Sequence, residues 1–244
     1  MFTSDKDVMR IVINHITRMR QGYICVAGCE VGTLRHIRPV LSMGLISTDF
    51  LARNGGPFDM GAVIEFEATP QPSPPEVEDH VFDPRRLKRL EILSGPDFWT
   101  LLEEIAQPRL KDIFGKDLVP IGKNPGSCCV DVNRGCASLG CYRPYLRPVL
   151  YVGKSENRSR VRIMIDDGDF DLDLGVTDAR LFRPDNATAD EKKIEEVRAR
   201  LRTPEKVLLS VGLSRAWPSS PDRPPVHWLQ VNNLHFEGDP TWKA

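Results

Sequence analysis

One stretch of this chain, Arg160 to Leu174, alternates polar and apolar residues on both sides of a short turn. Arg160 and Arg162 alternate with valine and isoleucine up to the turn Asp166-Asp167-Gly168-Asp169, and the return segment reads Phe170-Asp171-Leu172-Asp173-Leu174. Period-two alternation around an Asp-Gly turn predicts a β-hairpin. Because one face is apolar and the other is charged, this hairpin belongs in an antiparallel sheet with one solvated face.

A short phrase of the sequence occurs twice. Ile37 to Leu41 reads IRPVL, Leu146 to Leu150 reads LRPVL, and a glycine follows each phrase three residues later. Two copies of one small β-module would produce such an echo. Five matching residues can also arise by chance.

The composition is that of an ordinary globular protein, with 41% hydrophobic and 27% charged residues in a chain of 244. The formal net charge is -1, so a surface for nucleic acid or membrane must be a local patch. The first residues are charged where a signal peptide is apolar, and no apolar run approaches the ~18 residues of a membrane span. We therefore expect a cytoplasmic protein without membrane contact, whose six cysteines are reduced thiols or metal ligands.

The remainder of the chain has the pattern of short strands with two helical insertions. Strand-like segments lie at 10–17, 22–31, 35–41, 62–68, 207–213 and 226–236. The proline-rich segment from Pro70 to Pro75 is expected to be a spacer without a packed role.

Helical spacing of leucines predicts helices between 84 and 114, and a capping box starting at Thr188 predicts another over 189–203. About five strands in each half predict two OB-like antiparallel barrels, over 1–117 and 118–244, in a mainly β fold with inserted helices (α+β).

Several phrases together resemble one known family, the dual OB-containing domain family. They are, in order, RIVINHITRM, GYICVAGCE, RHIRPVL, CASLGCYRP, DLDLGVTDAR, LLSVGLSRAW and HWLQVNNLHF. The resemblance covers nearly the whole chain. It implies two OB folds and a prokaryotic protein that is predicted to bind nucleic acid and is linked to antiviral defence systems, with no assigned catalytic activity. The proline-rich segment and the adjacent cysteines 128 and 129 depart from the family pattern.

Two groups of residues invite a metal-site hypothesis. Four thiolates could complete a tetrahedral zinc shell, and the candidates are Cys128, Cys129, Cys136 and Cys141. Their spacing differs from the usual C-x2-C pairs, so buried thiols are the favoured interpretation. The aspartates around the hairpin turn lack the glycine and the glutamate of a calcium loop, which favours a solvated strand face. We expect no metal and no cofactor. Thr177-Asp178 leaves the alternation, and we expect it to have a structural hydrogen-bonding role.

Basic residues are concentrated in two places. Between 143 and 162 there are six arginines or lysines and one glutamate, and a smaller group lies near residue 36. OB barrels bind single strands with a basic groove and stacking aromatic side chains. The predicted binding residues are Arg35, His36, Arg38, Arg147, Tyr151, Arg158, Arg160 and Arg162. Alternatively, these arginines form a solvated face, and Trp217 and Trp228 fill a core.

The last strand is unusually polar, and its side chains Gln230, Asn232 and His235 are added to the predicted binding set. Such side chains can contact nucleic acid or satisfy buried backbone groups at a domain interface. No nucleophile or carboxylate has a recognisable catalytic spacing with His36 or His235, so no catalytic site is predicted.

The leading functional hypothesis is a non-catalytic subunit that binds single-stranded DNA or RNA within a larger complex with protein partners. The alternative is a protein-interaction scaffold built on the same barrels. A nucleotide-dependent hydrolase is a weaker third hypothesis.

Overall fold

The computed structural model describes residues 7–122, 125–155 and 158–242. In this part of the chain the strands form two sheets, accompanied by three α-helices and several short 3-10 turns. The strands of the first sheet are β1 Asp7–Arg18, β2 Tyr23–Glu30, β3 His36–Leu41, β4 Ile46–Ser47, β5 Ala62–Pro70, β6 Asp79–Phe82 and β7 Lys88–Ile92. The strands of the second are β8 Ala106–Gln107, β9 Val119–Ile121, β10 Ser127–Asp131, β11 Leu139–Tyr142, β12 Val149–Ser155, β13 Arg158–Asp166, β14 Asp171–Val176, β15 Val207–Leu213 and β16 Val226–Phe236. The helices are α1 Gly95–Ile105, α2 Leu110–Phe114 and α3 Glu191–Leu201.

The first sheet closes into a barrel of five strands. β1 pairs with both β2 and β5, and the circuit is completed by β2 with β3, β3 with β6 and β6 with β5. The β3–β6 pairing is parallel and the other pairings are antiparallel. The apolar side chains of these strands, together with Phe98 and Leu102 of α1, form one core.

The second sheet has a similar order of pairings. β12, β13 and β14 form an antiparallel meander, β14 pairs in parallel with β16, and β16 pairs with β15, which pairs with β11. No pairing joins β11 to β12 among the described residues, so the path is open at this point. The mainly β class and one closed barrel are therefore confirmed, whereas a second closed barrel stays a prediction. The second core lies inside this sheet and includes Ile194, Val197 and Leu201 of α3.

The predicted hairpin is present, formed by β13 and β14. Val161, Ile163 and Ile165 are buried, as are Leu172 and Leu174. Asp178, which follows this hairpin, is fully buried and accepts hydrogen bonds from the backbone N–H groups of Arg180 and Leu234. The structural role expected for Asp178 is confirmed.

The helices predicted between 84 and 114 were partly wrong. Residues 88–92 form strand β7, which pairs with the edge of β5, and helix begins only at α1. The leucine spacing misled because all five residues of β7 are exposed, so their apolar side chains do not mark a buried helix face. The second predicted helix is present as α3, but its N-cap is Asp190 rather than Thr188. The Asp190 side chain accepts from Lys193 N–H at 3.2 Å.

The expectation for the proline-rich segment was also wrong, and the structure distinguishes the two explanations of the repeated phrase. The proline-rich segment does have a packed role, because Pro75 is buried and the following residues Glu76, Glu78 and Asp79 are buried polar groups. The repeated phrase does not mark equivalent positions. Its first copy lies in β3, the third strand of the first barrel, whereas its second copy precedes and begins β12, which opens the meander of the second sheet.

Candidate nucleic-acid interface

The two sheets meet along a contact that we call the seam, formed by β1, β2 and β3 on one side and by β11, β15 and β16 on the other. At its centre Asn233, which is fully buried, bonds both backbone groups of Ile16. Ile16 N–H donates to Asn233 Oδ1 at 2.9 Å, and Asn233 Nδ2 donates to Ile16 O at 3.1 Å. Arg18 N–H donates to Thr177 O at 2.8 Å nearby. The C-terminal end of β1 is therefore joined to the second sheet by backbone and side-chain hydrogen bonds.

Histidines and amides line the seam beside this contact. His15 and His36 meet edge to face with ring centroids 5.3 Å apart, and Asn232 Nδ2 lies 3.2 Å from His15 Nδ1. His235 Nε2 lies 2.9 Å from Ser210 Oγ. Burial lowers the pKa of His36 to about 4 and that of His235 to about 3. It also lowers the pKa of His15 well below its usual range, with a further contribution from the neighbouring histidines. These rings are neutral at pH 7.

Buried ion pairs and hydrogen bonds of charged side chains join the two sheets in another part of the seam. Arg38 is 3% exposed and its guanidinium pairs with Asp79, which also accepts from Arg215 Nη2 at 2.6 Å. Glu78 accepts from the backbone N–H and the hydroxyl of Ser138 at 2.8 and 2.7 Å. Burial raises the pKa of the Glu78 carboxyl, and the bonds from Ser138 oppose that shift.

The seam decides where several predicted binding residues lie. Arg38, Asn232 and His235 are buried in it, and His36 is half-buried against His15. Arg35 is exposed, and its charge is paired with Glu30 at 3.2 Å. The outward face of β2 and β3 in the first barrel is therefore partly covered by the second sheet, and Tyr23, Cys25 and His36 on these strands are half-buried. In OB folds the face of the second and third strands is the one that binds oligonucleotides.

The corresponding face of the second sheet, on β13 and β14, is open to solvent. Arg162 lies on it and bonds Asp173 through Nε at 2.9 Å, while the Tyr151 hydroxyl donates to Asp173 Oδ2 at 2.6 Å. Partial burial lowers the pKa of Arg162, but its hydrogen bond and charge pairing with Asp173 outweigh this and raise it. Tyr151 and Arg162 are therefore held in fixed positions on the face.

A cation and an open depression lie beside this group. Arg160 is exposed and takes part in no ion pair among the described residues. Gly175 is the cross-strand partner of Arg162 on one side and of Gln230 on the other. A side chain at Gly175 would meet nothing within 4 Å, so the space above it is empty. Lys154 lies on β12 and Arg158 on β13, and their side chains are not described.

Apolar residues continue the same face in the next row. Val149 and Met164 are cross-strand partners and are 52% and 39% exposed. The preceding loop carries Tyr145, 80% exposed, and Leu146, 53% exposed. The exposed Arg147 in that loop donates to the Leu201 carbonyl at 3.4 Å.

Trp217 and Trp228 do not fill a core. Trp217 is 46% exposed and lies against Trp228 with ring centroids 5.6 Å apart. The Trp228 indole N–H donates to Trp217 O at 3.1 Å. The pair closes the loop that joins β15 to β16.

The cysteines do not gather into a metal site in the part of the chain that the structure describes. Cys128, Cys129 and Cys141 are buried, whereas Cys136 is exposed. Burial raises the pKa of Cys128 and of Cys141 to about 12.

Asn14 and His15, which help to hold the seam, were not predicted from the sequence, although polar residues inside the apolar run of β1 are a usable signal for a buried interface. For the last strand, the alternative that its amides satisfy backbone groups at a domain interface is the one that fits, because Asn233 bonds both backbone groups of Ile16.

Comparison with known proteins gives one match. A family model described as Dual OB-containing domain matches residues 9–234. No curated protein and no solved structure matches the chain. No helix in the described ranges combines the length and apolar character that crossing a membrane requires.

Proposed function

Because the chain belongs to the dual OB-containing domain family, we propose that it is a non-catalytic subunit that binds single-stranded nucleic acid. The binding surface is the open face of β13 and β14 with its neighbours on β12 and β16. OB folds bind oligonucleotides on the face of their second and third strands. The observation that carries the proposal is Arg160, an exposed and unpaired cation beside the empty space above Gly175.

The side chains around that space support binding of a nucleotide strand. Arg160 is free to pair with a phosphate, and Tyr151 offers a ring that is already held by Asp173. Gln230 is half-buried, its neighbours Leu229 and Val231 belong to the core, and its amide therefore lies on the outer face. A cationic and aromatic surface of this kind binds single strands with little sequence preference.

We propose the second sheet, and not the first barrel, as the surface that binds nucleic acid. The β2–β3 face of the first barrel is partly covered by the second sheet, so the residues Arg38, Asn232 and His235 are assigned to the seam and not to nucleic acid. The proposal retains Arg147, Tyr151, Arg158, Arg160, Arg162 and Gln230. A larger prokaryotic, defence-related complex in the cytoplasm is the setting we propose for this subunit.

A fluorescence anisotropy titration tests this proposal. Fluorescein-labelled dT20 and rU20 should bind, and a duplex of equal length should bind more weakly. Stacking of a base contributes ~1–3 kcal/mol, so Tyr151→Leu should weaken binding about fivefold or more. Tyr151→Phe keeps the ring and should bind within about twofold of the wild type. Equal affinity of wild type and Tyr151→Leu would contradict the proposal.

The scaffold hypothesis is the second candidate because one observation favours it. The first barrel already holds folded protein through its strand β1, where Asn14, His15 and Ile16 bond residues of β15 and β16. If the tagged protein co-purifies from its own cell with a stoichiometric protein and no nucleic acid, and no oligonucleotide binds in the titration, the scaffold function takes precedence.

A further inference from the structure

The loop between β11 and β12 gives the second sheet a surface that the proposed function has not used. In the first barrel β1 runs unbroken from its pairing with β5 to its pairing with β2. In the second sheet these two pairings are made by separate strands, β11 with β15 and β12 with β13. Residues 143–148 connect them and carry Tyr145, the most exposed aromatic side chain among the described residues, at 80%.

This loop lies next to exposed apolar residues. Val149 begins β12, and its cross-strand partner Met164 lies on the same outward face. We call Tyr145, Leu146, Val149 and Met164 the shelf. Val149 is two residues from Tyr151 and Met164 two from Arg162, so these two shelf residues form the next row of the proposed nucleic-acid face. Tyr145 and Leu146 lie in the loop that leads into this row.

Two cations in the loop of the shelf are not neutralised, whereas the strand row beyond Met164 carries the carboxylates of Asp166 and Asp171. Arg143 and Arg147 are exposed and bond only uncharged carbonyl oxygens, those of Glu103, Leu201 and Glu205. Neither forms an ion pair among the described residues, and Arg160 lies further along β13 without one. Cations of this kind attract a polyanion, whereas the shelf itself offers an apolar and aromatic surface.

We propose that the shelf is a binding site for unstacked bases of a single-stranded nucleic acid, whose phosphates pass along Arg143 and Arg147. This inference rests on the proposed function and extends it. A duplex keeps its bases inside and presents phosphates, so its bases cannot stack on the exposed Tyr145 or contact Val149 and Met164. The shelf residues offer the bases no hydrogen-bonding group other than the Tyr145 hydroxyl. The site therefore accepts bases by stacking, with little dependence on sequence.

The test compares strands with and without bases. The probes are fluorescein-labelled dT20, an abasic 20-mer of the same backbone, and a 20-base-pair duplex, titrated by anisotropy. Wild type should bind dT20 about tenfold tighter than the abasic strand. Tyr145→Ala and the pair Val149→Ser with Met164→Gln should bring this ratio toward one, without changing the salt dependence. Tyr145→Phe should keep the ratio, and Met43→Ala, at a position 87% exposed in the first half, is the matched control.

The outcomes separate this inference from the proposed function. Equal binding of dT20 and the abasic strand by wild type overturns the shelf but leaves phosphate binding intact. A ratio that Tyr145→Ala does not change places the bases elsewhere and also overturns the shelf. If no probe binds at any concentration up to about 100 µM, where a dissociation constant corresponds to only ~5 kcal/mol, both fail together. Because all the substituted side chains are exposed, circular dichroism should show that each variant is folded.

Discussion

Replacing Asn233 by alanine should destabilise the protein more than any exposed substitution, because it removes the central contact of the seam. Asn233 is fully buried and Ile16 is 6% exposed, so no water replaces the two lost bonds. The Ile16 N–H and C=O would both be left without a partner, after donating and accepting at 2.9 and 3.1 Å. An unsatisfied buried group costs ~1–3 kcal/mol, which gives about 2–6 kcal/mol for the two groups.

Urea unfolding followed by tryptophan fluorescence measures this change. For a chain of this size ~1 kcal/mol corresponds to ~2–4 °C in melting temperature, so a thermal scan should show a loss of about 4 °C or more. Gln230→Ala on the same strand is the control, because that side chain is half-exposed and should change stability by at most ~0.5 kcal/mol. If Asn233→Ala is as stable as the control, the seam does not depend on this contact and the reasoning is wrong.

Three further predictions concern acid sensitivity, thiol reactivity and strand packing. In the unfolded chain the histidines have a pKa of about 6.5, whereas burial lowers the pKa of folded His36 to about 4 and of His235 to about 3. Between these values the unfolded state binds more protons than the folded state, so stability should fall as the pH drops below about 6.5. Urea midpoints at pH 7, 5.5 and 4.5 measure this, and a His36→Gln variant with an equally steep decline would contradict it. Cys136 is exposed and should react first with a disulfide reagent, so Cys136→Ser should remove the fastest phase of labelling; an unchanged fast phase would contradict this and would point to the half-buried Cys25 as the fastest thiol. A methyl group at Gly28 would collide with the carbonyl oxygen of Val12, so Gly28→Ala should lose at least ~2 kcal/mol in the same urea assay; a loss below ~0.5 kcal/mol would show that β1 and β2 can separate to accommodate it.

Local patterns in the sequence predicted the local elements well. The hairpin of β13 and β14 followed from strict alternation around Asp166 to Asp169, and α3 followed from the capping box at Thr188, although its N-cap is Asp190. The segment at 88–92 did not, because an exposed edge strand needs no alternation and its leucines suggested a helix. Local chemistry therefore predicts an element best where one of its faces is buried.

The accessibility of the predicted binding residues could not be read from the sequence. Arg38 and Arg160 have similar strand contexts, yet the first is 3% exposed and the second belongs to the exposed residues. The difference arises from Asp79, which the parallel pairing of β3 with β6 places beside Arg38, 41 residues away in the chain. Arg215 reaches the same carboxylate from 136 residues away. Contacts at such separations depend on strand pairing within the first barrel and on the packing of the two sheets, and the residues next to either arginine in the sequence do not predict them.

The central claim is that nucleic acid binds the open face of the second sheet and not the first barrel. The most direct test is the salt dependence of dT20 binding by wild type, Arg160→Ala and Arg35→Ala. Each phosphate contact contributes about 0.7 to the slope of log affinity against log salt for single strands. The account predicts that Arg160→Ala lowers the slope by about this amount and that Arg35→Ala leaves it unchanged. A lower slope for Arg35→Ala together with an unchanged slope for Arg160→Ala would place the nucleic acid on the first barrel and contradict the account.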